Sequence, residues 1–142
     1  MKVESVCVDA SFVVRLLIEN PEESPYQLLW DSWLEAGSII TAPTLIFYEI
    51  TNALYRLAKV GQFSPEVAQE FLEIATGLNI QLYGDAYLHA RAWQIAQQFS
   101  LASAYDAHYL ALAEMLAAPL WTVDRRLVNS VSHVYDWIHF VA

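Results

Sequence analysis

Four acidic residues stand in apolar surroundings where they could do chemistry: Asp9, Glu49, Asp106 and Asp124. Asp9 and Asp124 each follow a short apolar run, Asp106 precedes one, and Glu49 lies beside the apolar stripe of a predicted helix. An ionised carboxylate in such surroundings is costly unless a partner compensates its charge. The chemistry therefore depends on whether these acids meet in the folded chain.

Each acid also has a local explanation. Ser103 lies three residues before Asp106, a spacing that predicts a capping pair at the start of a helix. Asp9 or Ser11 is the expected N-cap of the first helix, and both roles are compatible if Ser11 caps and Asp9 points into a crevice. Asp124 could cap the helix that follows it or pair with a neighbouring arginine. Taken singly, these residues do not define a site.

The four acids together predict a metal site. Carboxylates at contact distance repel one another by about 1 to 4 kcal/mol even in a wet site, and a divalent cation relieves that repulsion. Oxygen ligands without His or Cys favour Mg²⁺ or Mn²⁺ over zinc. Such a site suits phosphoryl ester cleavage, because the ion activates a water molecule and offsets charge on the leaving oxygen.

The predicted elements would bring the acids together. Apolar runs indicate buried strands at Ser5–Val8, Ser38–Ala42, Ile80–Tyr83 and Leu120–Thr122, with a last short strand around His133–Tyr135. The strands alternate with helical segments, which predicts an α/β fold: a mostly parallel central sheet with helices on both faces. The carboxyl ends of parallel strands share one edge, where Asp9 and Asp124 would lie and which the other two acids can reach.

Other polar residues near these acids are candidates for supporting roles. Ser11 and Thr122 can hydrogen-bond a ligand acid or a phosphate oxygen. Arg15, Arg125 and Arg126 are the available cations for the rest of a nucleotide chain.

Composition narrows the class of protein. The chain has 142 residues, 56% of them hydrophobic and 16% charged, which predicts one folded domain spanning residues 1–142. A net charge of −9 argues against a broad basic nucleic-acid face, although not against an enzyme that holds nucleic acid through metal ions. No apolar run is long enough for a membrane span, so we expect a cytoplasmic protein. The single cysteine, Cys7, lies in an apolar run and is expected to be core filler.

Each of the four acids lies in a stretch that resembles one of the acidic motifs of PIN-domain ribonucleases, and the stretches have the order and separation found in that family. The stretches are Val8–Ser11, Tyr48–Leu54, Tyr105–Glu114 and Thr122–Leu127. The nearest subgroup is that of the VapC-like toxins of bacterial toxin–antitoxin pairs. The resemblance implies a three-layer α/β/α sandwich and metal-dependent endoribonuclease activity. It places Asp9, Glu49, Asp106 and Asp124 around Mg²⁺ or Mn²⁺, with Thr122 in support. It also implies a homodimer and an antitoxin that can push a basic side chain into the acidic pocket.

Two other functions compete with this one. A phosphatase with an aspartyl nucleophile could place Asp9 at the end of the first strand, but the haloacid dehalogenase type has a second Asp where this chain has Ser11, and no lysine stands near the later motifs. A non-enzymatic interaction module would use the acids as caps and the aromatic surplus, which includes five Trp and eight Tyr, as a binding surface. Dependence on a metal ion separates these possibilities.

Overall fold

Strands and helices alternate along the chain in the computed structural model, which describes residues 3–142. The strands are Ser5–Val8 (β1), Ile39–Pro43 (β2), Gln81–Tyr83 (β3), Leu120–Thr122 (β4) and Ile138–Phe140 (β5). The helices are Ala10–Ile18 (α1), Pro25–Glu35 (α2), Leu45–Lys59 (α3), Pro65–Thr76 (α4), Ala86–Gln98 (α5), Tyr105–Leu116 (α6) and Arg125–Val131 (α7).

All strand pairs of the sheet are parallel, and the strand order is β3-β2-β1-β4-β5. β1 lies at the centre, where Cys7 pairs with Thr41 of β2 on one side and with Leu120 of β4 on the other. The helices flank this sheet in a three-layer α/β/α arrangement. The predicted fold class is confirmed, and the sheet is fully parallel among the described residues.

The strand order reverses between β1 and β4. β1 is followed in sequence by its neighbour on one side, β2, whereas β4 and β5 extend the sheet in the other direction. In open parallel sheets, the loops at the carboxyl ends of two such strands diverge and leave a crevice that usually holds the ligand. Asp9 follows β1 and Asp124 lies two residues after β4, so both stand at this crevice.

Helix boundaries follow local chemistry. Ser24 and Ser64 precede prolines that begin α2 and α4, and each serine side chain accepts a hydrogen bond from the backbone three residues on, at 3.2 Å. Gly37 and Gly61 follow α2 and α3 with φ of +73° and +81°, a conformation that favours glycine. These signals lie in the sequence within a few residues of each helix end.

The core fills the space on both sides of β1. Its largest fully buried side chains include Phe12, Tyr26, Ile46, Ile50, Leu110 and Leu112. Cys7 is fully buried with Sγ 3.0 Å from Thr41 Oγ1, and burial raises the pKa of its thiol to about 11, which confirms its role as core filler.

Among the helices of residues 3–142, none combines the length and apolarity needed to cross a membrane.

The predicted last strand around His133–Tyr135 is wrong. The backbone N–H groups of Val134 and Tyr135 both donate to the carbonyl of Val131, at 3.0 and 2.9 Å, so this segment turns back at the end of α7. The strand forms five residues later, where Ile138 pairs with Leu120. The ring of Tyr135 stacks on Trp137 with centroids 4.5 Å apart, so the apolar residues that suggested a strand pack a turn instead.

Candidate active site

Asp9 is a buried carboxylate at the carboxyl end of β1 and is 5% exposed. It caps α1, because its Oδ1 accepts a hydrogen bond from the Phe12 backbone N–H at 3.0 Å. Oδ1 also accepts from Ser11 Oγ at 2.6 Å, and Oδ2 accepts from Thr122 Oγ1. Burial raises the pKa of Asp9 to about 6, against the opposing effect of these hydrogen bonds, and the nearby charge of Glu49 raises it further.

Ser11 and Thr122 tie the ends of β1 and β4 together. Ser11 does not cap α1; it donates to Asp9 and accepts a hydrogen bond from the Val123 backbone N–H at 3.0 Å. Thr122 is fully buried, donates to Asp9 and accepts from the Asp124 backbone N–H at 3.0 Å. The two hydroxyls therefore fix the orientation of Asp9 and couple it to the backbone that carries Asp124.

Asp124 is the N-cap of α7. Its Oδ1 accepts hydrogen bonds from the backbone N–H groups of Arg126 and Leu127, at 3.0 and 3.2 Å. Within residues 3–142, its Oδ2 accepts no hydrogen bond. The local explanation of Asp124 as a cap is therefore correct, and its cap hydrogen bonds use only Oδ1.

Asp106 lies in the first turn of α6 and is half-buried. Burial raises its pKa to about 6, and the negative charges of Asp124, Asp9 and Glu49 add to the increase, while Arg126 opposes it. The charges of Asp124, Asp9 and Glu49 therefore act on Asp106 at the crevice beside β1 and β4.

The predicted capping pair of Ser103 and Asp106 is wrong. The N-cap position of α6 is Ala104, and no side chain caps this helix. Asp106 is consequently the second residue of the helix, one position short of the third residue that a capping box requires. Its carboxylate is left without a role in starting the helix.

Glu49 contacts a residue that the sequence analysis did not single out. It lies on α3 and is half-buried, and its Oε1 accepts a hydrogen bond from Tyr109 Oη at 2.5 Å. Tyr109 is 1% exposed, and burial followed by the charge of Glu49 raises the pKa of its phenol, so the phenol stays protonated. Tyr109 follows Asp106 by three residues on α6, and this spacing was the available signal for it.

A groove with a volume of about 910 Å³ opens beside these acids. Of the predicted site residues it is lined by Ser11, Arg15, Glu49, Asp124 and Arg126, whereas Asp9, Asp106 and Thr122 are not among its lining residues. Three further polar residues line it: Gln62 follows α3, whereas Asn52 and Arg56 continue the face of α3 that carries Glu49. The spacing of Asn52 and Arg56, three and seven residues from Glu49, could have identified them.

Two of the predicted substrate contacts have other partners. Arg15 is exposed at the groove and pairs with Glu19, with Nη1 and Oε2 3.1 Å apart. The Arg125 guanidinium lies 4.3 Å from the centre of the Phe140 ring, and Arg125 is not among the lining residues of the groove. Arg126, the next residue, does line it.

The donor set fits a hard divalent cation. Within residues 3–142, no three His, Cys, Asp or Glu side chains form a ready-made cluster around one point. The available donors are nevertheless oxygens of Asp9, Glu49, Asp106 and Asp124, which is the chemistry that Mg²⁺ and Mn²⁺ select. A cation would also relieve the repulsion that raises the pKa of Asp106.

These features define an α/β protein with an acidic site at the centre of a parallel sheet. The family model for the PIN domain matches residues 7–134. Ribonuclease VapC9 of Mycobacterium tuberculosis is 32% identical over 125 residues, which cover 88% of this chain and 90% of that protein. The chain therefore belongs to the PIN domain family, in its VapC-like branch.

Two solved structures have the same fold. The crystal structure of PAE2754 from Pyrobaculum aerophilum superimposes with a TM-score of 0.65 at 27% identity and covers 90% of this chain and 79% of that one. A toxin–antitoxin complex from Klebsiella pneumoniae gives a TM-score of 0.64 at 12% identity, with 96% and 99% of the two chains covered. The second likeness concerns the fold alone.

Proposed function

We propose that this protein is a metal-dependent endoribonuclease that hydrolyses RNA phosphodiester bonds as the toxin of a type II toxin–antitoxin pair. The observation that carries the proposal is the position of Asp9 and Asp124 just after the adjacent parallel strands β1 and β4, beside a groove that Glu49 also lines. Membership of the VapC-like branch supports the choice of RNA as substrate. Residues 1–142 would act as one nuclease domain in the cytoplasm.

The proposed catalytic residues divide the work according to their contacts. Asp9, Asp106, Asp124 and Glu49 would hold Mg²⁺ or Mn²⁺, which when bound supplies an activated water and charge for the leaving oxygen. Thr122 holds Asp9 by a hydrogen bond, so its role is positioning. Asp9 has both carboxylate oxygens engaged by hydrogen bonds, which keeps it oriented during the reaction.

The groove would hold the RNA strand on either side of the cleaved bond. Arg15, Arg56 and Arg126 line it, so the phosphates of a bound strand would meet guanidinium groups there. Ser11 also faces the groove, but its hydroxyl already serves Asp9 and Val123. We assign Arg125 no phosphate contact, because its guanidinium lies over Phe140 and it does not line the groove.

A homodimer and an antitoxin are further parts of the proposal. Large apolar side chains are exposed on the described surface, among them Tyr48 at 76%, Tyr55 and Trp93 at 64%, and Tyr105 at 60%. Such a surplus on a small domain supports burial against other chains. A basic antitoxin side chain placed among the four acids would neutralise them in the way a cation does and would block metal binding.

The interaction module remains the second candidate because Asp9 and Asp124 do cap helices. It leaves Asp106 and Glu49 unexplained, since neither caps a helix and burial makes the Asp106 charge costly. An aspartyl phosphatase of the haloacid dehalogenase type is disfavoured, because Ser11 stands where that type has its second Asp and its hydroxyl donates to Asp9.

The test is cleavage of end-labelled RNAs by purified protein in Mg²⁺, Mn²⁺ or EDTA. Asp9→Asn and Asp106→Asn are the test variants, and Glu70→Gln, an exposed acid on α4, is the control. We expect cutting that needs metal, persists in the control and is lost in both test variants. Equal inertness of all proteins across RNA classes, with the test variants also less stable, would favour the interaction module.

A further inference from the structure

Tyr109 is a buried polar residue that touches the site and has no role in the reaction outlined above. Its Oη donates to Glu49 Oε1 at 2.5 Å, which joins α6 to α3 across the site. The bond lies in the short range of about 2.5 to 2.7 Å that is typical of a hydroxyl donating to an ionised carboxylate. The phenol thus occupies one oxygen of a proposed catalytic acid.

The position of Tyr109 on α6 makes this contact more than a chance pairing. Tyr109 follows Asp106 by three residues, so both side chains leave the same face of the helix. Its ring is fixed within the core, since the residue is 1% exposed. Glu49, in contrast, has a long flexible side chain at the rim of the groove. A rigid donor therefore restrains a flexible acceptor.

We propose that Tyr109 is a positioning residue that holds Glu49 in the orientation needed to bind the divalent cation. Tyr109 occupies Oε1 and leaves Oε2 for the ion or for a water molecule bound to it. The inference rests on the proposed function and deepens it, because it assigns one restraint of the metal site to a residue outside the acidic motif positions. Losing a hydrogen bond of this kind typically lowers metal affinity by roughly 10- to 100-fold.

A second explanation is purely structural: Tyr109 fills the core and Glu49 is merely its nearest acceptor. The two explanations differ in a double-mutant cycle of Tyr109→Phe, Glu49→Gln and the double variant. If Tyr109 acts through Glu49, removing its hydroxyl matters little once the carboxylate charge is gone, so the two effects on metal affinity do not add. A structural role predicts additive effects.

The experiment is calorimetric titration of metal-free protein with Mn²⁺, beside RNA cleavage and urea unfolding. We expect Tyr109→Phe to weaken Mn²⁺ binding roughly 10-fold or more, and to change it less than about twofold when Glu49→Gln is already present. The control is Tyr87→Phe, the same chemical change at a tyrosine on α5 that is 59% exposed, which should bind Mn²⁺ like the wild type.

Two results would overturn the proposal while leaving the proposed function standing. One is wild-type Mn²⁺ affinity and cleavage in Tyr109→Phe, and the other is additive losses in the cycle. A wild-type protein that neither binds Mn²⁺ nor cuts RNA would instead remove the proposed function, and this inference with it. If Tyr109→Phe does not fold, Glu49→Asp is the replacement variant, because its shorter side chain draws the carboxylate away from the Tyr109 phenol. Unchanged Mn²⁺ affinity in that variant would also overturn the proposal.

Discussion

Replacing Asp106 by Asn should stabilise the metal-free protein while abolishing its activity. The Asp106 charge is destabilising in the folded chain, because burial and the charges of Asp124, Asp9 and Glu49 raise its pKa from 3.8 to about 6. The amide has nearly the same shape and no charge. Asp106 caps no helix, so the substitution removes no backbone hydrogen bond.

The expected change in the free energy of unfolding, and its dependence on pH, follow from the difference between the pKa of Asp106 in the folded and unfolded chains. A pKa of about 6 against 3.8 corresponds to about 3 kcal/mol for a fully buried group. Because Asp106 is half-buried, water screens part of this, and we expect Asp106→Asn to raise the free energy of unfolding by about 1 to 2 kcal/mol at pH 7.5. Below pH 3.8 the acid is protonated in the folded and unfolded chains alike, so Asp106 does not destabilise the fold there. The destabilisation grows as the pH rises above 3.8 and is complete once the pH has passed through about 6.

The assay is urea unfolding in EDTA at several pH values between 4 and 7.5, with Glu70→Gln as the control for loss of a surface charge. The stability difference between Asp106→Asn and the wild type should shrink as the pH falls from 7 towards 4. Added Mn²⁺ should stabilise the wild type more than the variant, because ligand binding stabilises the folded state. A destabilised variant at pH 7.5, or a difference that does not change with pH, would refute the electrostatic account of this site.

Three more predictions concern the surroundings of the site. Ser11→Ala removes a hydrogen-bond donor to Asp9, so it should lower the free energy of unfolding by about 1 to 2 kcal/mol and the rate of RNA cleavage by roughly 10- to 100-fold. Urea unfolding and initial cleavage rates measure the two effects, and unchanged rates would contradict the prediction. Arg56→Gln should weaken RNA binding and reduce the salt slope by about 1 in fluorescence titrations, whereas Arg125→Gln, whose cation lies over an aromatic ring, should leave the slope unchanged. The Cys7 thiol, with its pKa raised by burial to about 11, should react with iodoacetamide at pH 8 at a rate set by unfolding, and fast labelling of the native protein would contradict its burial.

Much of the fold could be predicted because its signals are local. β1 and β4 have the predicted limits of Ser5–Val8 and Leu120–Thr122, since strands buried on both faces of a parallel sheet read as short apolar runs. α2 is bounded by signals of the same local kind, since Ser24 caps its start and Gly37 follows its end. The place of Asp9 and Asp124 at one edge of the sheet followed from the parallel architecture.

The remainder depends on contacts between distant residues. The hydrogen bond of Tyr109 to Glu49 joins residues 60 positions apart, and the bond of Thr122 to Asp9 joins residues 113 apart, so neither has a local pattern. β5 was misplaced for the same reason: its position is decided by pairing with β4, not by its own residues. Arg125 and Arg126 are neighbours in sequence, and their different surroundings are a property of α7 packing.

Some acids of the site also stabilise helix starts, whereas Asp106 does not. Asp9 and Asp124 start α1 and α7 by accepting backbone hydrogen bonds, so the carboxylates that would hold the cation also create the helix starts that aim them. Asp106 has no such role. Asn can replace Asp as an N-cap with little loss, whereas Ala cannot. At Asp9 and Asp124 an Asp→Asn change therefore removes charge and keeps the helix start, while Asp→Ala removes both, and comparing the two separates catalysis from folding.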